Sequence, residues 1–164
     1  MLIRPARSAD DGRAAAIYAP HVVDSHVSFE EEAPDAAEMA RRMAAADAGG
    51  YPWLVAEADG AVLGYAYAGP FRPRAAYRWT VETGIYLHGD ACGRGVGRRL
   101  YGALLDELAA RGFTQAVGSI ALPNPASVAL HEALGFQHRG TVTGVGYKAG
   151  RWVDVGYWQR ALTA

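Results

Sequence analysis

The sequence predicts a mixed α/β fold in a single domain, and three observations lead to that prediction. The chain has 164 residues, 51% of them hydrophobic, which suffices for one sizeable core but not for two ordinary domains. Strand-like alternation and helical spacing succeed each other along the chain. Their order is one strand, two helices, a run of antiparallel strands, then helix, strand, helix and two strands. We therefore expect one domain over residues 1–164.

The first third of the chain predicts one strand and two helices. The segment 2–6, "LIRPA", favours a short strand. Ser8 suits a helix N-cap, and acidic residues follow it near the positive end of a helix dipole, so we expect a first helix over Ala9–Tyr18. A second, alanine-rich helix is expected over 34–46 and ends before Gly49.

Three strands are predicted in the middle of the chain. Segments 53–57 and 61–69 are predicted to be two strands joined at Asp59-Gly60, a dipeptide that favours a tight reversal. A longer strand is expected over 77–87. Gly84 interrupts its alternation, which predicts a β-bulge at that position.

The last third returns to helices before two final strands. Apolar residues recur every four positions from Val96, and Gly112 suits the C-cap of that helix. A strand over 114–122 precedes a shorter helix with Asn124 as N-cap. The final strands are expected near 137–143 and 152–160.

Charge and composition exclude several classes of protein. Sixteen basic and 17 acidic residues give a net charge of -1, so no global field attracts nucleic acid or an anionic membrane. The one cysteine precludes an internal disulfide, and neither a secretory signal nor an apolar span of about 20 residues is evident. The acidic run 30–32 lacks further ligands at metal-site spacing. We expect a cytoplasmic protein without metal, nucleic-acid or membrane partners.

The stretch "ACGRGVGRRLYGALLDELAARG", residues 91–112, predicts a backbone cradle for phosphate. It is not a P-loop, because no lysine followed by Ser or Thr is present. Gly93, Gly95 and Gly97 are spaced G-x-G-x-G, unlike the dinucleotide G-x-G-x-x-G, and the acid expected downstream is missing from "VGSIAL". Successive N–H groups from Gly93 to Arg98, with a helix dipole behind them, suit a pyrophosphate.

The loop resembles the acyl-CoA pyrophosphate loop of the GCN5-related N-acetyltransferases (GNAT), written [QR]-x-x-G-x-[GA], although Cys92 replaces the usual Gln or Arg. The helix "NPASVALHEALGF" (124–136) resembles the second cofactor element of that superfamily. "YPWLVAE", "YAGPFRPRAAYRWTVE" and "GRWVDVGYWQ" narrow the resemblance to the phosphinothricin N-acetyltransferase branch, which includes enzymes that acetylate methionine sulfone and methionine sulfoximine.

This resemblance implies a GNAT fold, with a mixed, mostly antiparallel central sheet flanked by helices and splayed at the acetyl-CoA site. It implies acetyl-CoA as donor, a small amino-acid analogue as acceptor and a homodimer. The cofactor-binding residues that it implies are Ile85, Tyr86, Leu87, Gly93, Arg94, Gly95, Val96, Gly97, Arg98, Asn124 and Ser127. A backbone N–H near Tyr86 or Leu87 would stabilise the oxyanion.

Acetyl transfer requires a base, because the incoming ammonium must lose a proton. Glu82 lies on the strand before the loop and matches the general base of the family. His131 stands where many relatives carry a proton-donating tyrosine, and imidazole exchanges protons near neutral pH. Both residues are candidates for catalysis.

Acceptor recognition is expected in "FRPRAAY", residues 71–77. Its two guanidinium groups suit carboxylate or phosphinate oxygens. By resemblance, the substrate-binding residues are Arg72, Arg74 and Tyr77, with Phe29 as an apolar wall. Two alternatives remain open: an acetyltransferase of a protein N-terminus or other amine, and a non-catalytic acyl-CoA binding module.

Overall fold

The computed structural model describes residues 1–162, so residues 163–164 of the predicted domain lie outside the described part. The strands are β1 (Leu2–Pro5), β2 (Trp53–Ala58), β3 (Ala61–Pro70), β4 (Thr80–Leu87), β5 (Gln115–Ala121), β6 (Gln137–Lys148) and β7 (Arg151–Ala161). The helices are α1 (Asp11–Val23), α2 (Ala36–Ala48), α3 (Val96–Ala110) and α4 (Pro125–Ala133).

The seven strands form one mixed sheet in the order β1-β2-β3-β4-β5-β7-β6. Every neighbouring pair is antiparallel except β4 and β5, which are parallel. That parallel pair is short: it runs from Thr80 opposite Gln115 to Glu82 opposite Val117. Beyond these residues the two strands part, which confirms the predicted mixed sheet with a splay.

Helices cover both faces of the sheet. The apolar stripe of α3 is fully buried on one face, with Leu100, Leu104 and Leu108 at 0% exposure. Residues of α4 pack against the same core. The other face is covered by α1 and α2, which bury Ile17 and Met39 against β2 and β3. No helix within residues 1–162 has the length and apolarity needed to cross a membrane.

The prediction that Ser8 caps the first helix was wrong. Residues Ser8–Asp10 form a 3₁₀ turn, and α1 begins only at Asp11. The buried Asp10 carboxylate accepts the Arg7 N–H at 2.7 Å and pairs with Arg4, also at 2.7 Å. Hydrogen bonding to Arg4 keeps the pKa of Asp10 below its ordinary value. A tertiary ion pair therefore sets the helix start, where sequence alone favoured the local serine.

The first helix also extends five residues beyond the predicted end at Tyr18. It passes through Pro20, which lacks the N–H for an intrahelical bond and is unfavourable inside a helix. Val22, in the extra turn, is 1% exposed and packs in the α1–α2 core. Tertiary burial thus outweighs the local cost of the proline.

The bulge predicted at Gly84 is absent, because β3 and β4 pair without a register shift from Gly64 opposite Leu87 to Pro70 opposite Val81. A shift occurs instead between Ala56 and Glu57 of β2. Sterics explain why position 84 is a glycine, because a Cβ at this position would lie 2.7 Å from the Cε1 atom of Tyr67. The glycine makes room for an aromatic ring and leaves the strand straight.

Two other boundaries differ from the prediction. β4 begins at Thr80, because Ala75–Tyr77 form a 3₁₀ turn. β6 continues to Lys148, five residues beyond its predicted end, and turns into β7 at Ala149-Gly150, both with positive φ. Irregular pairing between Val142 and Gly146 breaks the two-residue alternation by which strands are recognised.

We expect Gly84→Ala to destabilise the fold by about 1–3 kcal/mol, because the Tyr67 ring stacks on Trp53 with centroids 4.7 Å apart and has little room to move. The matched control is Gly69→Ala in β3, where an added Cβ meets no atom of residues 1–162 within 4 Å. Urea unfolding of both variants measures the difference. Equal loss of stability in the two would contradict the steric role of Gly84.

Candidate active site

A pocket of about 380 Å³ opens where β4 and β5 part. Its walls are the C-terminal halves of both strands, the glycine loop over residues 91–97 and the first turns of α3 and α4. Beyond the last paired residues, the facing edges of the strands do not form a ladder with each other. Their backbone N–H and C=O groups therefore face the pocket and are free to bind an extended ligand.

The glycine loop has the conformation that its sequence predicts. Gly93 and Gly95 have φ of 72° and 74°, in the left-handed region that favours glycine. A Cβ on Gly97 would lie 3.2 Å from Leu87, so the third glycine allows α3 to approach β4 closely. Because α3 begins at Val96, its unpaired first-turn N–H groups and positive dipole end lie beside the pocket.

Most predicted cofactor-binding residues lie around this pocket. The residues that line it are Ile85, Tyr86, Leu87, Gly93, Gly95, Gly97, Arg98, Asn124 and Ser127. Two others lie outside the lining: Val96 is 5% exposed in the core, and the Arg94 guanidinium reaches the Asp90 carbonyl at 3.4 Å. Cys92 also lines the pocket, with an exposed thiol.

Asn124 is the N-cap of α4, as predicted. Its Oδ1 accepts the Ser127 N–H at 3.2 Å, and Pro125 occupies the first helical position. Since the cap uses only the amide oxygen, the amide nitrogen keeps its two donors for a ligand.

Glu82 occupies the last paired position of β4, where the strands begin to part. The side chain is partly exposed, and its Oε1 accepts the Ser119 hydroxyl hydrogen at 2.8 Å. Ser119 belongs to the pocket lining. Within residues 1–162, Oε2 has no side-chain partner, so this oxygen can accept a proton. One hydrogen bond thus orients the carboxylate at the edge of the pocket.

His131 borders the same pocket but is 4% exposed, and both its ring nitrogens are hydrogen-bonded. Nδ1 lies 2.8 Å from the Ser127 carbonyl, which can only accept, so Nδ1 carries the proton. Nε2 then accepts the Tyr101 hydroxyl at 3.0 Å, and the Thr83 hydroxyl donates to Tyr101 at 2.6 Å. Burial lowers the pKa of His131 and raises that of Tyr101. The imidazole is therefore neutral near pH 7.

The four residues predicted to bind the acceptor lie outside the pocket lining. Arg72 and Tyr77 both pack on Phe71, the guanidinium carbon 4.3 Å from its ring centroid and the Tyr77 ring at 5.8 Å. They and Arg74 are exposed just before β4. Phe29 is 43% exposed and lies against Gly146 of β6. The residues predicted to bind the acceptor are thus spread over two segments, one before β4 and one after α1.

Sequence reasoning missed Ser119, Tyr101 and Val27, which also lines the pocket. Ser119 is an exposed polar residue inside an otherwise apolar strand, and that was the available signal. Tyr101 continues the apolar stripe of α3, and the sequence contains no signal for its role. Its partners, Thr83 and His131, are 18 and 30 residues away.

Comparison with known proteins decides the family. The sequence profile described as Acetyltransferase (GNAT) domain matches residues 3–156. The chain belongs to the GNAT acetyltransferase family. Membership makes it an N-acetyltransferase, as the sequence predicted. No group of three or more His, Cys, Asp or Glu side chains is placed to hold a metal ion within residues 1–162.

Named relatives of this acetyltransferase cover nearly the whole chain. Phosphinothricin N-acetyltransferase of Streptomyces viridochromogenes is 45% identical over 96% of this chain and 86% of its own length. L-methionine sulfoximine/L-methionine sulfone acetyltransferase of Pseudomonas paraeruginosa is 39% identical over 98% and 94%. A phosphinothricin acetyltransferase structure from Sinorhizobium meliloti, in complex with acetyl-CoA, superposes with a TM-score of 0.94 at 42% identity, covering 98% of this chain and 87% of that one.

The pocket of this GNAT domain fits an acyl-CoA. A diphosphate needs N–H donors and positive charge, which the loop over 93–97, the start of α3 and Arg98 offer together. An extended arm containing amides needs free backbone partners, and the parted edges of β4 and β5 offer those. A Cβ added at Gly97 would lie within 3.4 Å of the Leu87 and Leu130 side chains, so the start of α3 packs closely against the walls of the pocket.

We expect acid to destabilise the protein through His131. The folded chain keeps this ring neutral at pH values where the unfolded chain protonates it, so the unfolded state binds more protons below about pH 6.5 and stability falls as pH drops. One such group contributes a slope of at most about 1.4 kcal/mol per pH unit. Carboxylates remain ionised between about pH 7 and 5.5, so they contribute little to the slope in that range.

Urea unfolding across that pH range measures the slope. His131→Gln should flatten it, whatever its effect on stability at pH 7, because glutamine does not titrate. His138→Gln, which removes an exposed histidine of β6, serves as the control. An unaltered slope in His131→Gln would show that the ring does not change its affinity for protons on folding.

Proposed function

We propose that this protein transfers the acetyl group of acetyl-CoA to the α-amine of a small amino-acid analogue of the phosphinothricin, methionine sulfoximine or methionine sulfone type, within one domain over residues 1–164. The observation that carries the proposal is the place of Glu82, an available carboxylate where the acyl-CoA pocket opens. The names of the relatives supply the acceptor class.

In this proposal the glycine loop binds the diphosphate of acetyl-CoA. N–H groups from Gly93 to Gly97 donate to it, and Arg94 and Arg98 add positive charge. The edge over Ile85–Leu87 binds the pantetheine arm, and a backbone N–H near Tyr86 stabilises negative charge on the carbonyl oxygen. Asn124 and Ser127 bind from the opposite wall. When bound, acetyl-CoA supplies an activated thioester carbonyl.

Glu82 acts as the general base. The acceptor arrives mainly as an ammonium, which cannot attack a carbonyl until it loses a proton. The Oε2 atom takes this proton, directly or through one water, while the Ser119 hydroxyl holds Oε1. The orientation matters because proton transfer requires hydrogen-bond distance between the two heavy atoms.

His131 is the second proton-handling residue in this proposal. Its Nδ1 atom lies 3.4 Å from the hydroxyl oxygen of Ser127, which borders the pocket. The Ser127 hydroxyl would thus connect this ring to an acyl-CoA bound in the pocket. Tyr101 keeps the ring in this tautomer, because its hydroxyl donates to Nε2.

Arg72, Arg74 and Tyr77 bind the acidic groups of the acceptor, with Phe29 as the apolar wall. Both guanidinium groups are exposed and free of carboxylate partners within residues 1–162. Arg72 uses one donor for the Phe71 carbonyl, and its other donors and those of Arg74 can bind an anion. Such a pair favours a carboxylate or phosphinate and repels a polyamine.

We also propose that the chain is a cytoplasmic homodimer. The support is a group of exposed apolar side chains on β6 and β7, because exposed apolar patches often mark protein–protein interfaces. The set consists of Val142, Val145, Tyr147 and Trp152, which are 45%, 55%, 59% and 70% exposed.

A thiol-release screen tests the function. CoA thiol should appear only when acetyl-CoA is present together with phosphinothricin, methionine sulfoximine or methionine sulfone, and much faster than with a peptide N-terminus or a polyamine. Arg72→Gln and Arg74→Gln should each raise KM for these acceptors about tenfold, because a charge-assisted hydrogen bond is lost. Arg78→Gln, at a neighbouring exposed arginine, is the control.

Rapid acetylation of the peptide with no reaction of the three analogues would favour the protein N-terminal alternative. Tight acetyl-CoA binding without turnover on any amine would favour the non-catalytic module.

Glu82→Gln should lower kcat by about 10²–10⁴-fold, because the amide cannot take the ammonium proton. The fold should persist, since the Ser119 hydroxyl can still donate to the glutamine oxygen. Asp106→Asn, at an exposed acid of α3, is the matched control. Steady-state thiol release and circular dichroism give the two readouts. Near-wild-type kcat in Glu82→Gln would remove Glu82 from the chemistry.

A further inference from the structure

Lys148, at the end of β6, is the only lysine in the sequence. Its ammonium donates to three backbone carbonyls of one short stretch of chain. Nζ lies 2.9 Å from the oxygens of Val22 and of Ser28, and it also donates to the Glu30 carbonyl. These residues are 118–126 positions away in sequence. Lys148 therefore joins the last strands of the sheet to the segment that follows α1.

The chemistry of this contact requires a lysine. An ammonium carries three N–H donors on one atom, and three carbonyls use all of them. The Val22 carbonyl belongs to the last turn of α1, where carbonyls lack intrahelical partners and the helix dipole is negative. A planar guanidinium directs its donors differently and cannot replace this arrangement. With every donor used, Lys148 has none left to bind a substrate.

Residues 24–30, here called the strap, are held by further contacts. The His26 ring accepts from Arg151 at 2.8 Å through Nδ1 and reaches the Pro123 carbonyl at 2.8 Å through Nε2. The Phe29 ring rests on Gly146, where a Cβ would lie 2.3 Å from it. The strap thus runs from the end of α1 to the β6–β7 hairpin and the loop before α4.

The strap forms part of the wall of the pocket. Val27 lines the pocket together with Gly84 and Ser119. Ser119 is the residue that donates to Glu82. Phe29, the expected apolar wall, is part of the strap. A shift of the strap would move this wall relative to the base but would leave the glycine loop in place.

We propose that Lys148 is a positioning residue for acceptor binding, which acts by fixing the strap against β6. The inference rests on the proposed function for the identity of the acceptor. It assigns no chemical step to Lys148: the residue sets where Val27 and Phe29 stand, and thereby how tightly the acceptor binds near Glu82.

Steady-state kinetics of Lys148→Met test this role. KM for the acceptor should rise about tenfold or more, with kcat and KM for acetyl-CoA within about twofold of wild type, because the acceptor loses binding that is equal in the ground state and the transition state. Lys148→Arg should show the same pattern, since it keeps the charge but not the three-donor geometry. Arg139→Met removes an exposed cation from the same strand and is the control. An unchanged acceptor KM, or an equal rise in KM for acetyl-CoA, would overturn the proposal.

A second readout does not depend on turnover. A glutamate-specific protease can cut after Glu30, the last residue of the strap, and after Glu31 and Glu32 just beyond it. Lys148→Met and Lys148→Arg should be cut there about tenfold faster than wild type, because local opening exposes the backbone. Arg139→Met should be cut like wild type. Equal cutting of all chains would overturn the proposal that Lys148 fixes the strap. If the wild-type chain acetylates none of the analogues, the proposed function is overturned. Faster cutting of the Lys148 variants would then still support the role of Lys148 in fixing the strap.

Discussion

The structure depends on the parting of two parallel strands. β4 and β5 share three paired positions and then diverge, so one ladder of backbone hydrogen bonds is left unmade in the middle of the sheet. Backbone groups that are buried without partners are costly, so a gap of this kind persists only when the fold supports it on both sides. The pocket, the loop that follows β4 and the helix that follows β5 all lie around this gap.

Two polar arrangements stand at the point of divergence, one on each face of the sheet. On the α3 face, Thr83 is the first residue beyond the last pair, and its hydroxyl begins the buried chain through Tyr101 to His131. These side chains bond β4 to α3 and α4 where strand can no longer bond to strand. On the other face, Ser119 of β5 reaches across to Glu82 of β4. Side-chain hydrogen bonds thus replace the backbone hydrogen bonds between β4 and β5. The same side-chain bonds orient Glu82 and His131, the residues proposed to transfer protons.

Features that short sequence spacing determines could be predicted. The Asp59-Gly60 reversal, the left-handed glycines of the loop and the Asn124 cap depend on neighbours within a few residues, and all three are found. Failures arise where tertiary contacts take part: Arg4, which also pairs with the distant Glu57, binds Asp10 where a Ser8 cap was expected. The Tyr67 ring accounts for a glycine that alternation assigned to a bulge. The pocket could be expected from its loop, whereas the Ser119–Glu82 and Tyr101–His131 contacts join residues 37 and 30 apart and leave no pattern.

The single lysine has a consequence for the chemical durability of the protein. Acetyl thioesters react slowly and without catalysis with unprotonated side-chain amines, so a protein that holds such a thioester is itself exposed to modification. Fifteen of the 16 basic residues here are arginines, whose guanidinium groups stay protonated and are poor nucleophiles. The one remaining side-chain amine donates all three of its hydrogens to carbonyls. The surface can therefore carry positive charge for anionic ligands without presenting a free lysine amine to the thioester.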